Sequence, residues 1–463
     1  MDSLSRGELG RVRLVAALHS GLTSLTYVLD EPTVGLHPKD TAGLINGLQA
    51  LCDEGNTVVV VEHDDTVIEA ADHVVELGPG AGPRGGAIVY EGPPIKPATA
   101  PSSLPRLLAD RPLREGIQVR GAVAHNLRGV DVHIPAGGLV AVTGVSGSGK
   151  SSLLMDVVAT SLLKGRPIGC TSLSGSHGFK KVLTLGDRAH LPGPCVAGAL
   201  GVFEKLRALF AATDTAKARG YTAAHFSFLS PKGACEGCGG AGVEEVPMAF
   251  MDNASVPCEL CGGAGYRPEV LHPTLWGLDI SQLLATPIDA ASQFFTKNAE
   301  KTRPPHRAIF RALKTASDLG LGYLTLGQRI PTLSHGESQR PKLLRELLAA
   351  HKDKKSSSRD NGEDHREGTL FLLDEPTTGL HRRDIHRLLK VFRRLLDHGN
   401  TVVVIEHNLE VIRQAHWILD LGPGAADQGG RLVAASPPQD LMKNRASATG
   451  EALKKYATRL SRR

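Results

Sequence analysis

Val140-Ala141-Val142-Thr143-Gly144-Val145-Ser146-Gly147-Ser148-Gly149-Lys150-Ser151-Ser152 passes from four residues of buried-strand character into a turn rich in glycine. The next stretch, Leu153-Leu154-Met155-Asp156-Val157-Val158, reads as a helix. Strand, G-x-x-x-x-G-K-[ST] and helix, in that order, make a phosphate-binding loop in the context it requires. The glycines let backbone N–H groups turn inward around a phosphate, and Lys150 brings a point charge to the outer oxygens. The Ser151 hydroxyl suits a Mg2+ ligand. The expected contacts to a nucleotide are therefore Gly144, Val145, Ser146, Gly147, Ser148, Gly149, Lys150, Ser151 and Ser152. An apolar strand that feeds such a loop predicts an α/β fold around a parallel sheet covered on both faces.

Outward from this loop the chain says the same thing twice. Tyr27-Val28-Leu29-Asp30-Glu31-Pro32-Thr33-Val34-Gly35-Leu36-His37 recurs as Phe371-Leu372-Leu373-Asp374-Glu375-Pro376-Thr377-Thr378-Gly379-Leu380-His381. Gly55-Asn56-Thr57-Val58-Val59-Val60-Val61-Glu62-His63 recurs as Gly399-Asn400-Thr401-Val402-Val403-Val404-Ile405-Glu406-His407. Leu77-Gly78-Pro79-Gly80-Ala81 recurs as Leu421-Gly422-Pro423-Gly424-Ala425. The offset is 344 at every block, which marks an internal repeat. In the second copy Asp374 ends an apolar strand, so its carboxylate emerges at the carboxyl edge of the sheet, where α/β ligands sit. Asp374 is a candidate Mg2+ ligand, and Glu375 is the candidate base or water-orienting group. His407 ends a second apolar strand and is the candidate contact to the outermost phosphate. Upstream the register slips by 15 residues, which fall in the charged stretch from His351 to Arg366. Almost without apolar residues, that stretch reads as a surface loop.

Two knuckles carry metal chemistry. Cys235-Glu236-Gly237-Cys238 and Cys258-Glu259-Leu260-Cys261 are separated by 19 residues, and each is followed by Gly-Gly-Ala-Gly. Two C-x-x-C pairs can place four thiolates tetrahedrally around zinc, and with no open position the site is structural. Cys52, Cys170 and Cys195 have no partners in sequence and read as packing or loop thiols. Seven cysteines in 463 residues suit a reducing compartment with one metal site better than a disulfide framework. A net charge of +5 is weak evidence for a polyanionic partner, and 4% aromatic residues are too few for a base-stacking platform. With no leader-like N-terminus and no apolar run of ~20 residues, a cytoplasmic protein without membrane contact is expected.

The paired Asp-Glu-Pro-Thr-x-Gly-Leu-His blocks and the Glu-His strand ends resemble the UvrA family of ABC-type ATPases. So do Ala218-Arg219-Gly220-Tyr221, Phe226-Ser227-Phe228 and Leu333-Ser334-His335-Gly336-Glu337-Ser338-Gln339-Arg340. Leu4-Ser5-Arg6-Gly7-Glu8 resembles the signature turn of such ATPases. The similarity covers about residues 3 to 440 and matches the C-terminal half-plus of such a protein. It implies two ABC-type cassettes, the first incomplete, with a signature and zinc-module domain inserted in the second. The expected partition is 1–95 for the end of the first cassette, 96–116 as linker and 117–164 for the phosphate-loop part of the second. The insertion would span 165–320 with its zinc module at 235–261, the rest of the second cassette 321–440, and a basic tail 441–463. The segment 351–367 would be a disordered loop.

What the resemblance implies about function is specific. ATP with Mg2+ would lie between the phosphate loop and the first signature, where Ser5 and Gly7 would cap it, giving one complete site; Asp30, Glu31 and His63 would be vestigial. The insertion with its zinc would help hold duplex DNA, damaged DNA in particular, with Lys205, Arg207, Lys217 and Arg219 as candidate phosphate contacts. The role implied is damage recognition in nucleotide excision repair, by an ATPase with no nuclease constellation of its own. Incision would fall to UvrB-like and UvrC-like proteins, although the family's partner-binding region has no counterpart here, and a homodimer is implied. A UvrA-like drug-resistance ATPase and a degenerate, non-hydrolysing remnant stay open. Several departures bear on hydrolysis. Arg6 and His335 each replace a signature glycine, Leu9-Gly10 replaces Ala-Gln, Pro341 follows the second signature, and Asp187 stands near the place of the family's loop glutamine.

Overall fold

The computed structural model describes residues 21–78, 85–94, 110–185, 193–246, 254–298, 304–318, 321–330, 367–378 and 382–461, with single positions at 12, 15, 16, 108 and 380. Ser5 and Gly7, Asp187, the second signature and the charged stretch 351–366 lie outside these residues. The chain divides into two compact units, one formed by the repeats together with the phosphate loop and the other by the described residues between 193 and 330.

In the first repeat β1 (Thr26–Asp30) pairs in parallel with β2 (Thr57–Val61), and β3 (Val74–Gly78) pairs antiparallel with β4 (Ala87–Gly92). Between β1 and β2 runs the helix Pro38–Asp53. His37 starts it by accepting from the Lys39 N–H, and Pro38 supplies a first turn that needs no donor. Leu44, Leu48 and Leu51 lie on one face of that helix and, with Leu36, pack on Tyr27, Leu29, Val58 and Val60.

Next come β5 (Arg114–Ala122), β6 (Val130–Ala136), β7 (Leu139–Gly144), β8 (Ser172–Ser174) and β9 (Phe179–Leu185). The phosphate-loop helix Ser152–Ala159 has π-type hydrogen bonding and runs into Thr160–Lys164; π turns gather at functional sites. β5 begins at Arg114, inside the segment read as linker. β9 is hydrogen-bonded to the central sheet, so the inserted unit starts later than position 165. Within that unit β10 (Val243–Val246) and β11 (Ala254–Pro257) form a hairpin that carries the knuckles.

The second repeat adds β12 (Glu367–Asp374), β13 (Thr401–Ile405), β14 (Trp417–Gly422) and β15 (Arg431–Ser436). The central sheet has the order β15-β14-β7-β13-β12-β9, parallel except at β15. The repeats agree to the register. Asp30 stands opposite Val61 as Asp374 stands opposite Ile405, and the irregularity at Glu76/Leu77 is matched at Asp420/Leu421. Two differences separate them: β12 also pairs with β9, whereas among the described residues β1 pairs with β2 alone, and the second concerns β7. In the second repeat β7 lies between β13 and β14, whereas among the described residues no strand lies between β2 and β3.

Burial follows from the presence of β7. Leu372, Val403, Ile405, Leu419 and Leu421 pack with Val140, Val142, Leu153, Leu154 and Val157 in the main core. Their counterparts at offset 344, Val28, Val59, Val61, Val75 and Leu77, are exposed, Val28 by 71% and Leu77 by 66%. The basic tail expected at the chain end is helical and partly buried. Ala448–Ser461 is a helix whose Thr449 and Leu453 are buried on one face while Lys454, Lys455 and Arg459 are exposed.

Candidate functional site

The phosphate loop is built for close backbone approach. Gly144 has φ +133°, and a Cβ there would lie 2.0 Å from the carbonyl oxygen of Leu421, so only glycine fits. Lys150 is buried and folded onto its own loop, donating to the carbonyls of Gly144 at 3.1 Å and Val145 at 2.9 Å. Burial lowers its ammonium to about 8, against the opposing pull of Glu375, Asp374, Asp40 and Asp420. The Ser148 hydroxyl is buried with no hydrogen-bond partner among the described residues. An unspent hydroxyl and a buried ammonium in a glycine-lined cradle fit a polyphosphate.

Asp374 and Glu375 stand at the end of β12. Glu375 has φ +44°, as does its counterpart Glu31; a carboxylate residue held in that region costs of order 1–3 kcal/mol and persists only where its surroundings impose it. The imposition comes from Thr377 and Glu406. The buried Glu406 carboxylate accepts from the Thr377 N–H (3.1 Å), the Thr377 hydroxyl (2.8 Å) and the backbone N–H groups of His407 and Asn408 (both 3.2 Å). One side chain thus pins the turn after Glu375 to the strand end at His407. Glu62 does the same in the first repeat with Thr33, His63 and Asp64. The repeated Glu-His pairs were the signal for this brace, which sequence reading did not assign.

His407 Nε2 lies 3.6 Å from Glu375 Oε1. Burial first, then Lys150 and His37, hold its imidazole well below the ordinary range, so it is neutral. Neither ring nitrogen has a hydrogen-bond partner among the described residues. His407 therefore offers one donor at the strand edge where Glu375 offers an acceptor. His63 and Glu31 repeat the pair at 3.7 Å.

Sequence reading also missed the turn Gly35-Leu36-His37, although its recurrence at residues 379–381 was on view. The Ser146 hydroxyl donates to the Gly35 carbonyl at 3.0 Å, and the Ser146 N–H donates to Asp40 Oδ2 at 3.2 Å. A Cβ on Gly35 would stand 3.5 Å from Glu375 Oε2, and the His37 and His407 rings are 6.0 Å apart. The first repeat therefore contributes to the rim of the second repeat's phosphate loop.

In the inserted unit the four knuckle sulfurs all lie within 4.8 Å of one another. Cys235 and Cys258 are 4.0 Å apart, Cys238 and Cys261 3.8 Å. A zinc tetrahedron with ~2.3 Å bonds has edges of ~3.8 Å, so the cluster fits that ion. The N–H groups of Gly242 and Gly265 donate to Cys238 and Cys261 Sγ at 3.1 and 3.3 Å, stabilising thiolate charge. Of the candidate DNA contacts, Lys217 and Arg219 are exposed. Lys205 donates to the Gly201 carbonyl at 2.7 Å, and the Arg207 guanidinium lies 5.2 Å from the Phe203 ring centre.

Comparison with known proteins places this geometry. Over 474 residues the chain is 44% identical to UvrABC system protein A of Aquifex aeolicus, covering 98% of this chain and 49% of that protein. The Vibrio cholerae protein of the same name is 42% identical, with 98% and 48% covered. The chain is homologous to UvrABC system protein A. It spans about half the length of these UvrA relatives. The crystal structure of UvrA2 from Deinococcus radiodurans superposes with a TM-score of 0.86 at 39% identity, covering 98% of this chain and 54% of that one. The α/β core is thus the ABC ATPase fold found in UvrA proteins. No family model matches the chain.

Proposed function

We propose that the chain is an ATP-operated, duplex-DNA-binding protein of UvrA type that takes part in recognising damage for nucleotide excision repair. The observation that carries this reading is the meeting, at one phosphate loop, of the Glu375–His407 pair with the Gly35–His37 turn of the other repeat. A site assembled from both repeats responds to nucleotide by changing how they meet, and such a change can reach a DNA surface.

Lys150 and the loop N–H groups would hold the phosphates, and Ser151 and Asp374 would hold Mg2+. When bound, the nucleotide supplies a phosphoanhydride bond. Glu375 orients the attacking water and accepts its proton, and neutral His407 donates to the outermost phosphate. Ser5 and Gly7 would complete the cap, making one complete site per chain. Glu31, His63 and Glu62 keep the geometry of the second repeat but have no described phosphate loop beside them. The cysteine cluster would hold one structural zinc, and Lys205, Arg207, Lys217 and Arg219 are the proposed DNA phosphate contacts. Cooperation with UvrB-like and UvrC-like proteins and assembly as a homodimer belong to the same reading.

The test is ATP hydrolysis by the purified chain with no DNA, intact duplex and lesion-bearing duplex, with Lys150→Ala as the control. Lesion-dependent stimulation that is lost in the control, and DNA affinity that falls steeply with salt, are expected. Failure to bind duplex even at low salt would remove the proposal.

A further inference from the structure

Asp420 has no place in the chemistry above, yet it is among the best-satisfied carboxylates in the molecule. Buried in β14, it accepts from three hydroxyls, those of Thr143 (2.8 Å), Ser447 (2.6 Å) and Thr449 (2.8 Å). Thr143 is its cross-strand neighbour in β7 and the last residue before the phosphate loop. Ser447 and Thr449 stand at the start of the C-terminal helix.

Thr449 has a second bond. Its hydroxyl lies 3.2 Å from His37 Nε2. The tautomer follows from the other ring nitrogen, since His37 Nδ1 accepts the Lys39 N–H at 3.2 Å. Nε2 therefore carries the proton and donates. Burial foremost pulls His37 down to about 4, so the ring is neutral in ordinary buffers. The bonds run one way, from His37 to Thr449 and from Thr449 to Asp420, which Thr143 meets from the other side. The circuit closes through the loop itself, because the His37 N–H reaches the Ser146 hydroxyl at 3.4 Å. His37, Thr143, Ser447, Thr449 and Asp420 are all buried.

The far end of the same helix is tied to both repeats. Tyr456 donates to Glu410 at 2.7 Å, and Arg459 pairs with Glu69. A helix that merely caps the second repeat would need neither the Thr449–His37 nor the Arg459–Glu69 contact to the first repeat. Nor is the arrangement a general property of the repeat, because Glu76, the offset counterpart of Asp420, is exposed.

We propose that Asp420, Thr449 and His37 form a positioning relay, through which the C-terminal helix sets the spacing between the phosphate loop and the Gly35–His37 turn. Thr449 is a positioning residue and touches no phosphate. The inference rests on reading 144–152 as the nucleotide site, and the experiment separates the two.

ATP affinity is measured by equilibrium titration, and thermal midpoint without nucleotide, for the full chain and for Lys150→Ala, Thr449→Val, Thr449→Ser, His37→Ala and the Thr449→Val/His37→Ala double variant. Valine keeps the shape of threonine but cuts both bonds. It should weaken ATP about five- to tenfold, whereas serine, which keeps the hydroxyl, should stay within about twofold. In the His37→Ala background the valine should add less than about twofold, because the relay is already cut. Normal affinity in Thr449→Val, equal losses in the valine and serine variants, or losses that multiply in the double variant would each overturn the relay. If Thr449→Val does not fold, His37→Ala decides, since it leaves the hydroxyls on Asp420 in place; unchanged affinity there overturns the proposal. If Lys150→Ala binds ATP as well as the unaltered chain, the nucleotide reading itself has failed.

Discussion

Lys150 makes nucleotide affinity depend on pH in a range where most phosphate sites are indifferent. Its ammonium titrates at about 8 because burial penalises the charge more than the surrounding carboxylates support it. Only the charged form attracts the phosphates, so binding above that value requires uptake of a proton. About nine-tenths of the free protein carries the charge at pH 7 and about one-thirtieth at pH 9.5, so ATP affinity should fall about thirtyfold between them. Phosphate has its second ionisation near ~6 and contributes little over that range. Glu406, raised to about 8 by burial, titrates in the same window; the fall should persist in Glu406→Gln. The assay is equilibrium ATP titration at fixed ionic strength from pH 7 to 9.5. Lys150→Arg keeps its charge throughout, and its affinity should be flat with pH whatever its absolute value. Constant affinity in the unaltered chain, or the same slope in Lys150→Arg, would show that the lysine charge is not what the loop uses.

Glu375→Gln should bind ATP within about threefold of normal and turn it over at least about a hundredfold more slowly; normal phosphate release would remove Glu375 from the chemistry. Glu406→Gln places an amide N–H against one of the donors that now point at the carboxylate, at a cost of ~1–3 kcal/mol and a thermal midpoint lower by about 3–10 °C. A carboxyl raised to about 8 stabilises the fold below its unfolded value and loses that contribution as pH rises through 8. The midpoint of the unaltered chain should therefore fall more steeply than that of Glu406→Gln between pH 7 and 9. Metal analysis should find one zinc per chain, and Cys258→Ser should bring it to background; full retention of zinc by the serine variant would remove the four-thiolate site.

How much of this was legible in the sequence depended on distance along the chain. The phosphate loop and the knuckles are local patterns whose spacing carries the geometry, so Gly144 to Ser152 and the four cysteines could be named directly. The strand ends at Asp374 and His407 were legible because buried parallel strands announce themselves as apolar runs, and the repeat doubled the signal. What stayed hidden was assembled across distance. Ser146 meets Gly35 and Asp40 over more than a hundred positions, and Thr449 meets His37 over 412. No periodicity encodes such pairs. The C-terminal segment was legible as basic and helical from Lys454, Lys455 and Arg459, but the residues that seat it, Thr449 and Leu453, are few and ordinary and gave no signal. Among the candidate DNA contacts composition says where cations are, but only coordinates tell that Lys205 is spent on a carbonyl.

Among the described residues no strand lies between β2 and β3, and the apolar side chains on these strands bear on how the polypeptide behaves in a tube. The side chains of Val59, Val61, Val75 and Leu77 on those two strands are exposed, and strands that carry exposed apolar side chains are adhesive. Concentrated samples are expected to associate through these side chains, more strongly in cosolvents that favour apolar burial and less at low protein concentration, as light scattering would show. A single charged substitution such as Val59→Lys on these strands is therefore a practical first step toward a well-behaved preparation, at no expense to the main core.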